Sequence, residues 1–377
     1  VDVIEQNQYY VDKTMYLPLL EDQPSNLFLI RPRRFGKSIF LSMMGAYYDI
    51  ARKDDFERLF GNLWIGSHPT RLQGTFQIMS FDFSRVGGSR EQLEVNFQIY
   101  CTGELNIFMN KYHDFYSDHI RAQFEAAPTF EAKLQVILGE AHLRNYPLYL
   151  IVDEYDNFTN TILSTFGKDE YRKATHGEGF FRYFFNVLKF LTSGNDMALE
   201  RMFITGVSPI TLDDVTSGFN IGTNITTSPL FNGLVGFTET ELRTMLEYYR
   251  DRGALTMDVE EMIADMKPWY DNYHFSKECL NESMYNSDMT LYYINSCLKQ
   301  GRKPEEMVDT NIRTDYNKLR HLIRIDHELD ANFSVIREIV ENGRTSGTIS
   351  SAFSVEKMVN ENNFKSLLYY FGLLSIR

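Results

Sequence analysis

The stretch from Asn26 to Tyr48 constrains the fold of this chain more than any other. Asn26 to Arg31 is a short apolar run of strand type, after which Phe40, Met43, Met44, Tyr47 and Tyr48 recur at helical spacing. Between them lies Arg31-Pro32-Arg33-Arg34-Phe35-Gly36-Lys37-Ser38. A strand that runs into a helix through Gly-Lys-Ser is the arrangement of a phosphate-binding loop. Backbone N–H groups curl around the phosphates, a lysine reaches the β/γ oxygens and a hydroxyl serves Mg2+. The helix beginning there aims its positive end at the anion. The general pattern GxxxxGK[ST] places a glycine where this chain has Arg31, and Gly-Lys-Ser alone recurs by chance.

A second segment completes the pattern. Leu148 to Val152 is an apolar strand ending in Asp153-Glu154. Asp153 would sit at the carboxyl end of its strand and hold Mg2+, mostly through water. Glu154 would polarise an attacking water. The plain alternative for an Asp-Glu pair is a solvated turn. The two segments support each other because ligands bind at the carboxyl ends of strands in open α/β sheets.

Two further runs, Phe76 to Phe83 and Arg201 to Gly206, read as strands, and the text between the four strands is helical. Ser89 with Gln92 predicts a capping box, followed by an apolar face of Leu93, Phe97, Cys101 and Leu105. Alternating strands and helices predict an α/β fold with a parallel sheet covered on both faces. At about 150 residues per domain, 377 residues make two to three domains. After residue 236 the strands are expected to stop. Thr238 and Glu241 give another capping box, and the pattern stays mostly helical to about 345. The expected division is therefore a nucleotide-binding domain over 1–236, a helical lid-like domain over 237–345, and a C-terminal helix and strand over 346–377. The chain starts at Val1 and closes on Leu373-Leu374-Ser375-Ile376-Arg377, which suggests a missing start and a strand cut short.

The segments Tyr10-Val11-Asp12-Lys13-Thr14, Arg31 to Ser38, Ile151-Val152-Asp153-Glu154-Tyr155-Asp156-Asn157-Phe158 and Phe203-Ile204-Thr205-Gly206-Val207-Ser208 are more specific together than singly. With Val235 to Glu239 and Trp269-Tyr270-Asp271-Asn272-Tyr273, they make the chain resemble the AAA-ATPase-like family of bacterial proteins, which are P-loop NTPases, from residue 9 to the end. In that family an Arg-Pro-Arg-Arg-Phe-Gly-Lys loop is usual, so Arg31 departs only from the general pattern. Asn272 stands where the family has a glycine. The resemblance implies a Mg2+-dependent, ATP-binding and ATP-hydrolysing switch. It implies that Arg33, Arg34, Phe35, Gly36, Lys37 and Ser38 face the nucleotide and that Ser38 and Asp153 hold the metal. Lys37, Asp153 and Glu154 would carry the chemistry. Thr205 or Ser208 would read the γ-phosphate, unless both only stabilise their loop. Arg33 and Arg34 either grip phosphate or pair with acids. Tyr10 to Asp12 either line the adenine pocket or belong to the core. Many relatives continue into a PD-(D/E)XK nuclease-like domain, so an alternative is a scaffold of little turnover that positions such a domain in DNA processing.

Composition narrows the rest. The formal net charge of −13 argues against direct nucleic-acid binding by this segment. Two Trp, 23 Tyr and 29 Phe give ample core material, which excludes wholesale disorder. Three cysteines without a CxxC fit reduced thiols in a cytoplasmic protein, and no apolar run reaches membrane-spanning length. The eight histidines show no HxxxH pair or cysteine neighbour, which argues against zinc. Asp265-Met266-Lys267 matches a nuclease D/E-x-K tail but lies in a helical pattern, the wrong context. Oligomeric state stays open, because no arginine finger stands out.

Overall fold

The computed structural model describes residues 8–192, 198–216, 222–309 and 330–377. Histidines 321 and 327, and part of the expected helical region, lie outside them. A five-stranded sheet runs in the order β2-β3-β4-β1-β5. Its strands are β1 (Asn26–Ile30), β2 (Gln77–Asp82), β3 (Leu148–Asp153), β4 (Leu199–Gly206) and β5 (Thr223–Asn224), and every pairing is parallel. The α/β expectation therefore holds. The four strands read from apolar runs lie within a residue or two of their expected positions. β5 has only two residues, too few to show a period.

Alternation along the strands explains why the sheet is covered twice. On β3, Leu148, Leu150 and Val152 face one core with Phe97, Phe181 and Phe184, while Tyr149 and Ile151 face the other with Met44, Tyr48 and Phe203. Helices Leu93–Lys111, Phe130–Arg144 and Phe180–Thr192 cover the first face. Helix Lys37–Tyr48 and residues 225–235 cover the second. Each ring so buried contributes about 2–3 kcal/mol of transfer free energy, which is what holds a parallel sheet dry on both sides.

A third core belongs to helices Glu239–Asp251, Val259–Tyr270 and Ser287–Gln300, which meet through Leu242, Met262, Met266 and Tyr293. The first of these helices starts on a complete capping box of Thr238 and Glu241. The second carries Asp265 and Lys267 on its surface, where they pair with Lys303 and Glu239. Both charges are thus used structurally.

Three local expectations fail. Ser89 makes no side-chain cap. Gln92 N–H bonds to the Ser89 carbonyl (3.0 Å) in a 3-10 turn, and the helix begins at Leu93. Strands do not stop at 236: β6 (Asp271–Tyr273) and β7 (Met284–Tyr285) form an antiparallel pair, and Phe237 bridges to Tyr285. The helix before β6 carries Pro268 in its last turn and ends at Tyr270, with the Asp271 N–H bonded to the Lys267 carbonyl. Residues 373–377 form no strand. Leu374 and Ile376 instead pack beside Ile30, Tyr369 and Tyr370, and Ser375 Oγ accepts the His274 N–H at 3.2 Å.

Candidate functional site

Strand order makes the site. β4 lies between β1 and β3, so the carboxyl ends of the loop-bearing strand and the acidic strand flank Thr205. Ser38, one residue into helix Lys37–Tyr48, donates its hydroxyl to Asp153 Oδ2 at 2.5 Å. Thr205 Oγ1 donates to Asp153 Oδ1 at 2.6 Å, and the Glu154 N–H reaches the same oxygen at 2.9 Å. One carboxylate thus gathers residues from three elements. Glu154 follows with φ of 49°, unusual for a residue with a long side chain. Its carboxylate accepts from Asn157 Nδ2, at the start of the next helix.

The loop is shaped by two left-handed residues, Arg34 (φ 68°) and Gly36 (φ 89°). A Cβ on Gly36 would have room, so the glycine is required by its backbone angle. Lys37 is buried, and its ammonium donates to the Arg31 and Pro32 carbonyls, both at 3.0 Å. Burial pulls its pKa down, while Glu154, Asp153 and Asp156 pull it back up.

Arg31 does not join this cluster. Its side chain is wholly buried on the far side of the loop, with the guanidinium over the Phe275 ring at 4.1 Å. It donates to the carbonyls of Ile30 (3.1 Å), Phe231 (3.0 Å) and Thr226. Arg33 is half-buried, close enough for its charge to act on Asp156 and Lys37. Arg34 pairs with Asp288 at 2.6 Å, so it uses an acid. Phe35 is core, its ring edge-on to Tyr273 and Phe275.

Ser208 is placed elsewhere. It is fully buried, and its hydroxyl accepts the Ile210 N–H at 3.3 Å, at the start of helix Ile210–Thr216. What holds its turn is Asp156, which the sequence reading passed over. Asp156 is buried, accepts N–H groups of Val207 (3.0 Å) and Ser208 (2.6 Å), and takes Asn160 Nδ2 at 2.8 Å. Burial raises its pKa. The signal was present in Asp153-Glu154-Tyr155-Asp156: an acid just past the strand end can reach back across the sheet edge. Gly206 lets the strands approach, since a Cβ there would stand 2.2 Å from the Tyr155 ring.

The helical region grips the loop through its backbone. Asn286 Nδ2 donates to the Arg33 carbonyl (3.3 Å), Asp288 N–H to Arg34 (3.1 Å) and Ser287 Oγ to Phe35 (3.1 Å). Beside Gly36 opens an apolar cleft of about 360 Å³, lined by Tyr9, Tyr10, Ile39, Val235, Tyr249 and Leu291 among others. Asp12 turns away from it: its carboxylate accepts from Thr14 and from the Trp64 N–H. Lys13 is buried and bonds to Glu241 (2.6 and 2.7 Å) and the Gly233 carbonyl (2.9 Å).

A phosphate-binding loop, an acidic strand end and a strand inserted between them that ends in Thr205 define an α/β protein of the P-loop kind. The chain belongs to the AAA-ATPase-like family, described as "Predicted AAA-ATPase", whose model matches residues 1–216. Membership supports an ATPase-type nucleotide-binding role. The chain is also similar to an "Uncharacterized protein in vnfD 5'region" of Azotobacter chroococcum mcd 1, with 26% identity over 290 residues. The match covers 74% of this chain and 46% of that protein, so the chain spans less than half its relative's length. Among solved structures, Cdc6p from Pyrobaculum aerophilum aligns over 96% of this chain and 83% of that one, at 13% identity and a TM-score of 0.35. No helix among the described residues is long and apolar enough to cross a membrane.

Proposed function

We propose that the protein is a Mg2+-dependent ATPase whose reaction centre is Lys37, Ser38, Asp153, Glu154 and Thr205. The observation that carries this reading is the convergence of Ser38 and Thr205 on the two oxygens of Asp153 (2.5 and 2.6 Å). An all-oxygen set of one carboxylate and hydroxyls suits a hard cation such as Mg2+. Ser38 and Asp153 would hold it. When bound, it would neutralise charge on the β- and γ-phosphate oxygens.

The chain's own groups do the rest. Lys37 exchanges the Arg31 and Pro32 carbonyls for phosphate oxygens. Glu154 accepts the proton of a water whose oxygen attacks the γ-phosphorus, while the bond to the β–γ bridging oxygen breaks. Thr205 is placed to sense the γ-phosphate through Asp153, and the cleft beside Gly36 suits an adenine base. Residues 1–236 act as the nucleotide-binding unit and 237–345 as a lid that holds the loop carbonyls through residues 286–288. A nuclease-like partner domain, and a cytoplasmic setting, follow from the family resemblance.

The rival reading is a scaffold with little turnover, in which the Arg31 side chain, standing where the general pattern has glycine, would hinder loop closure on the phosphates. Burial of that side chain against Phe275 favours turnover instead. The test is ATP hydrolysis by wild type, Lys37→Ala and Glu154→Gln. Glu154→Gln should bind ATP yet lose hydrolysis by 10²-fold or more, on the order expected of a lost general base, and Lys37→Ala should lose binding. Wild-type protein without turnover, unchanged by Glu154→Gln, would refute the enzyme reading.

A further inference from the structure

Outside the nucleotide site, His176, Asp214 and Glu356 come together from three separate elements. His176 follows helix Lys168–Thr175, Asp214 lies on helix Ile210–Thr216, and Glu356 belongs to the turn Val355–Val359. His176 Nε2 stands 3.6 Å from Asp214 Oδ1 and 4.0 Å from Glu356 Oε1, and the three ligand atoms all lie within 4.8 Å of one another. The two contacts of the imidazole are both longer than a hydrogen bond.

The hydrogen bonds behind these groups fix how they face. Thr175 Oγ1 donates its one hydrogen to the Tyr171 carbonyl (2.8 Å), so toward His176 Nδ1, 2.9 Å away, it can only accept. Nδ1 therefore carries the ring hydrogen, and in the neutral ring the Nε2 lone pair points at the two carboxylates. Asp214 is likewise held from behind: its Oδ2 accepts from Tyr171 Oη (2.7 Å) and the Val355 N–H (3.2 Å), which leaves Oδ1 facing the imidazole. A lone pair aimed at two carboxylate oxygens is repulsive unless a proton or a metal cation lies between them, and separations of 3.6 and 4.0 Å are long for a shared proton. Second bonds that orient a histidine and a carboxylate in this way are what a metal centre needs from its surroundings.

We propose that His176, Asp214 and Glu356 form a binding site for a divalent transition cation of the zinc type, which clips the C-terminal turn to the nucleotide-binding core. One imidazole and two carboxylates favour zinc, manganese or iron(II) over calcium, which takes oxygen alone, and over copper(I), which wants sulfur. Asp214 is almost completely covered, while His176 and Glu356 are each about two-fifths exposed, which leaves one side for water. A tetrahedral zinc site separates its ligands by roughly 3.4 Å. The exposed Glu356 therefore moves inward by about an ångström, giving up its 2.9 Å bond to Arg172 Nε. The cation replaces the repulsion with bonds, and the segment from 355 to 370 gains a fastening to the helix that follows β4. Sequence spacing could not reveal the group, because its members stand 38 and 142 positions apart in the chain.

The test is equilibrium dialysis of the chelator-treated full chain against Zn2+, without nucleotide, with thermal melting alongside. Wild type should bind one Zn2+ per chain at micromolar concentration and melt higher with it. His176→Gln and Glu356→Gln should weaken binding at least about tenfold and abolish the metal-dependent shift. Their metal-free melting should stay near that of wild type, which shows that they fold. Ser38→Ala should bind Zn2+ as wild type does. No stoichiometric binding by wild type, or equal binding by His176→Gln, overturns the proposal. So does binding that Ser38→Ala removes, since the ion would then sit at the nucleotide site.

Discussion

Replacing Arg31 by glycine would restore the general phosphate-loop pattern, and the structure says this should damage the protein. The Arg31 guanidinium donates to three carbonyls, those of Ile30, Thr226 and Phe231, and lies 4.1 Å over the Phe275 ring. Hydrogen bonds from a charged donor contribute about 1.5–3 kcal/mol each, and the cation–π contact adds roughly 1–2 kcal/mol. Against this stands the cost of burying the charge, which draws the arginine pKa down to about 10. From a reference value of 12.5, that displacement corresponds to roughly 3 kcal/mol. The balance favours arginine by about 2.5–8 kcal/mol, before the added chain entropy of a glycine.

In a thermal melt this loss lowers the midpoint by roughly 5–30 °C, at about 2–4 °C per kcal/mol for a unit of this size. Arg31→Lys should fall between, because an ammonium cannot span the Thr226 and Phe231 carbonyls as a planar fork does. ATP affinity, followed by fluorescence titration or calorimetry, should stay level or fall in Arg31→Gly, since the first residue of the loop has lost its anchor. A variant that melts with wild type and binds ATP more tightly would show that Arg31 crowds the loop after all.

Other expectations concern the surrounding contacts. Lys37 has a lowered pKa in the free protein because it is buried, and a bound triphosphate raises it. ATP binding at alkaline pH should therefore take up protons, measured as a buffer-dependent heat. Equal heats in buffers of different ionisation enthalpy would contradict this assignment. The same lowered pKa means that Lys37 costs the fold stability while it is protonated. That cost is relieved as pH rises from its folded pKa towards 10.5. Gly206→Ala places a methyl 2.2 Å from the Tyr155 ring and should lower stability by about 1–3 kcal/mol or more in urea unfolding. An unchanged midpoint would mean that the Tyr155–Asp156 turn yields easily. Lys13→Met removes a buried charge partner of Glu241 and the bond to the Gly233 carbonyl, for an expected loss of about 2–4 kcal/mol. A loss below 0.5 kcal/mol would place that pair among the weak surface bridges.

The sheet was readable because its four longer strands are mostly buried. β1, β3 and β4 are apolar on both faces, so each stands out as a run between helical patterns, and the parallel arrangement follows from the helices between them. Where the structure departs from the pattern, the reason is local. β5, β6 and β7 have two or three residues apiece, shorter than one readable period. Ser89 and Gln92 have the right letters for a capping box, yet a 3-10 turn takes the Gln92 N–H first. Residues 373–377 have strand-like composition, but the described chain uses them as side-chain packing beside Ile30 rather than as a hydrogen-bonded neighbour.

The site divides along the same line between what is local and what is not. Gly36, Lys37 and Ser38 are legible because their roles follow from a strand–turn–helix that the sequence spells out. Asp153 is legible because it terminates a strand. The arginines are not, because a guanidinium reaches several ångströms from its Cα and its partner is chosen by the fold: Phe275 for Arg31, Asp288 for Arg34. Four cations stand at 31, 33, 34 and 37 in an acidic chain, and their sequence positions do not tell which face phosphate. In three dimensions Arg33 and Lys37 stand within electrostatic reach of the Asp153–Asp156 acids. The other two tie the loop to opposite neighbours, Arg31 to residues 226–231 and Arg34 to the helix beginning at Ser287. A loop held on both sides by its own side chains has little freedom to reshape alone. Under the proposed switch, a rearrangement on nucleotide binding would move those neighbours with it, and the bonds of residues 286–288 to the Arg33, Arg34 and Phe35 carbonyls would carry it to the helical region.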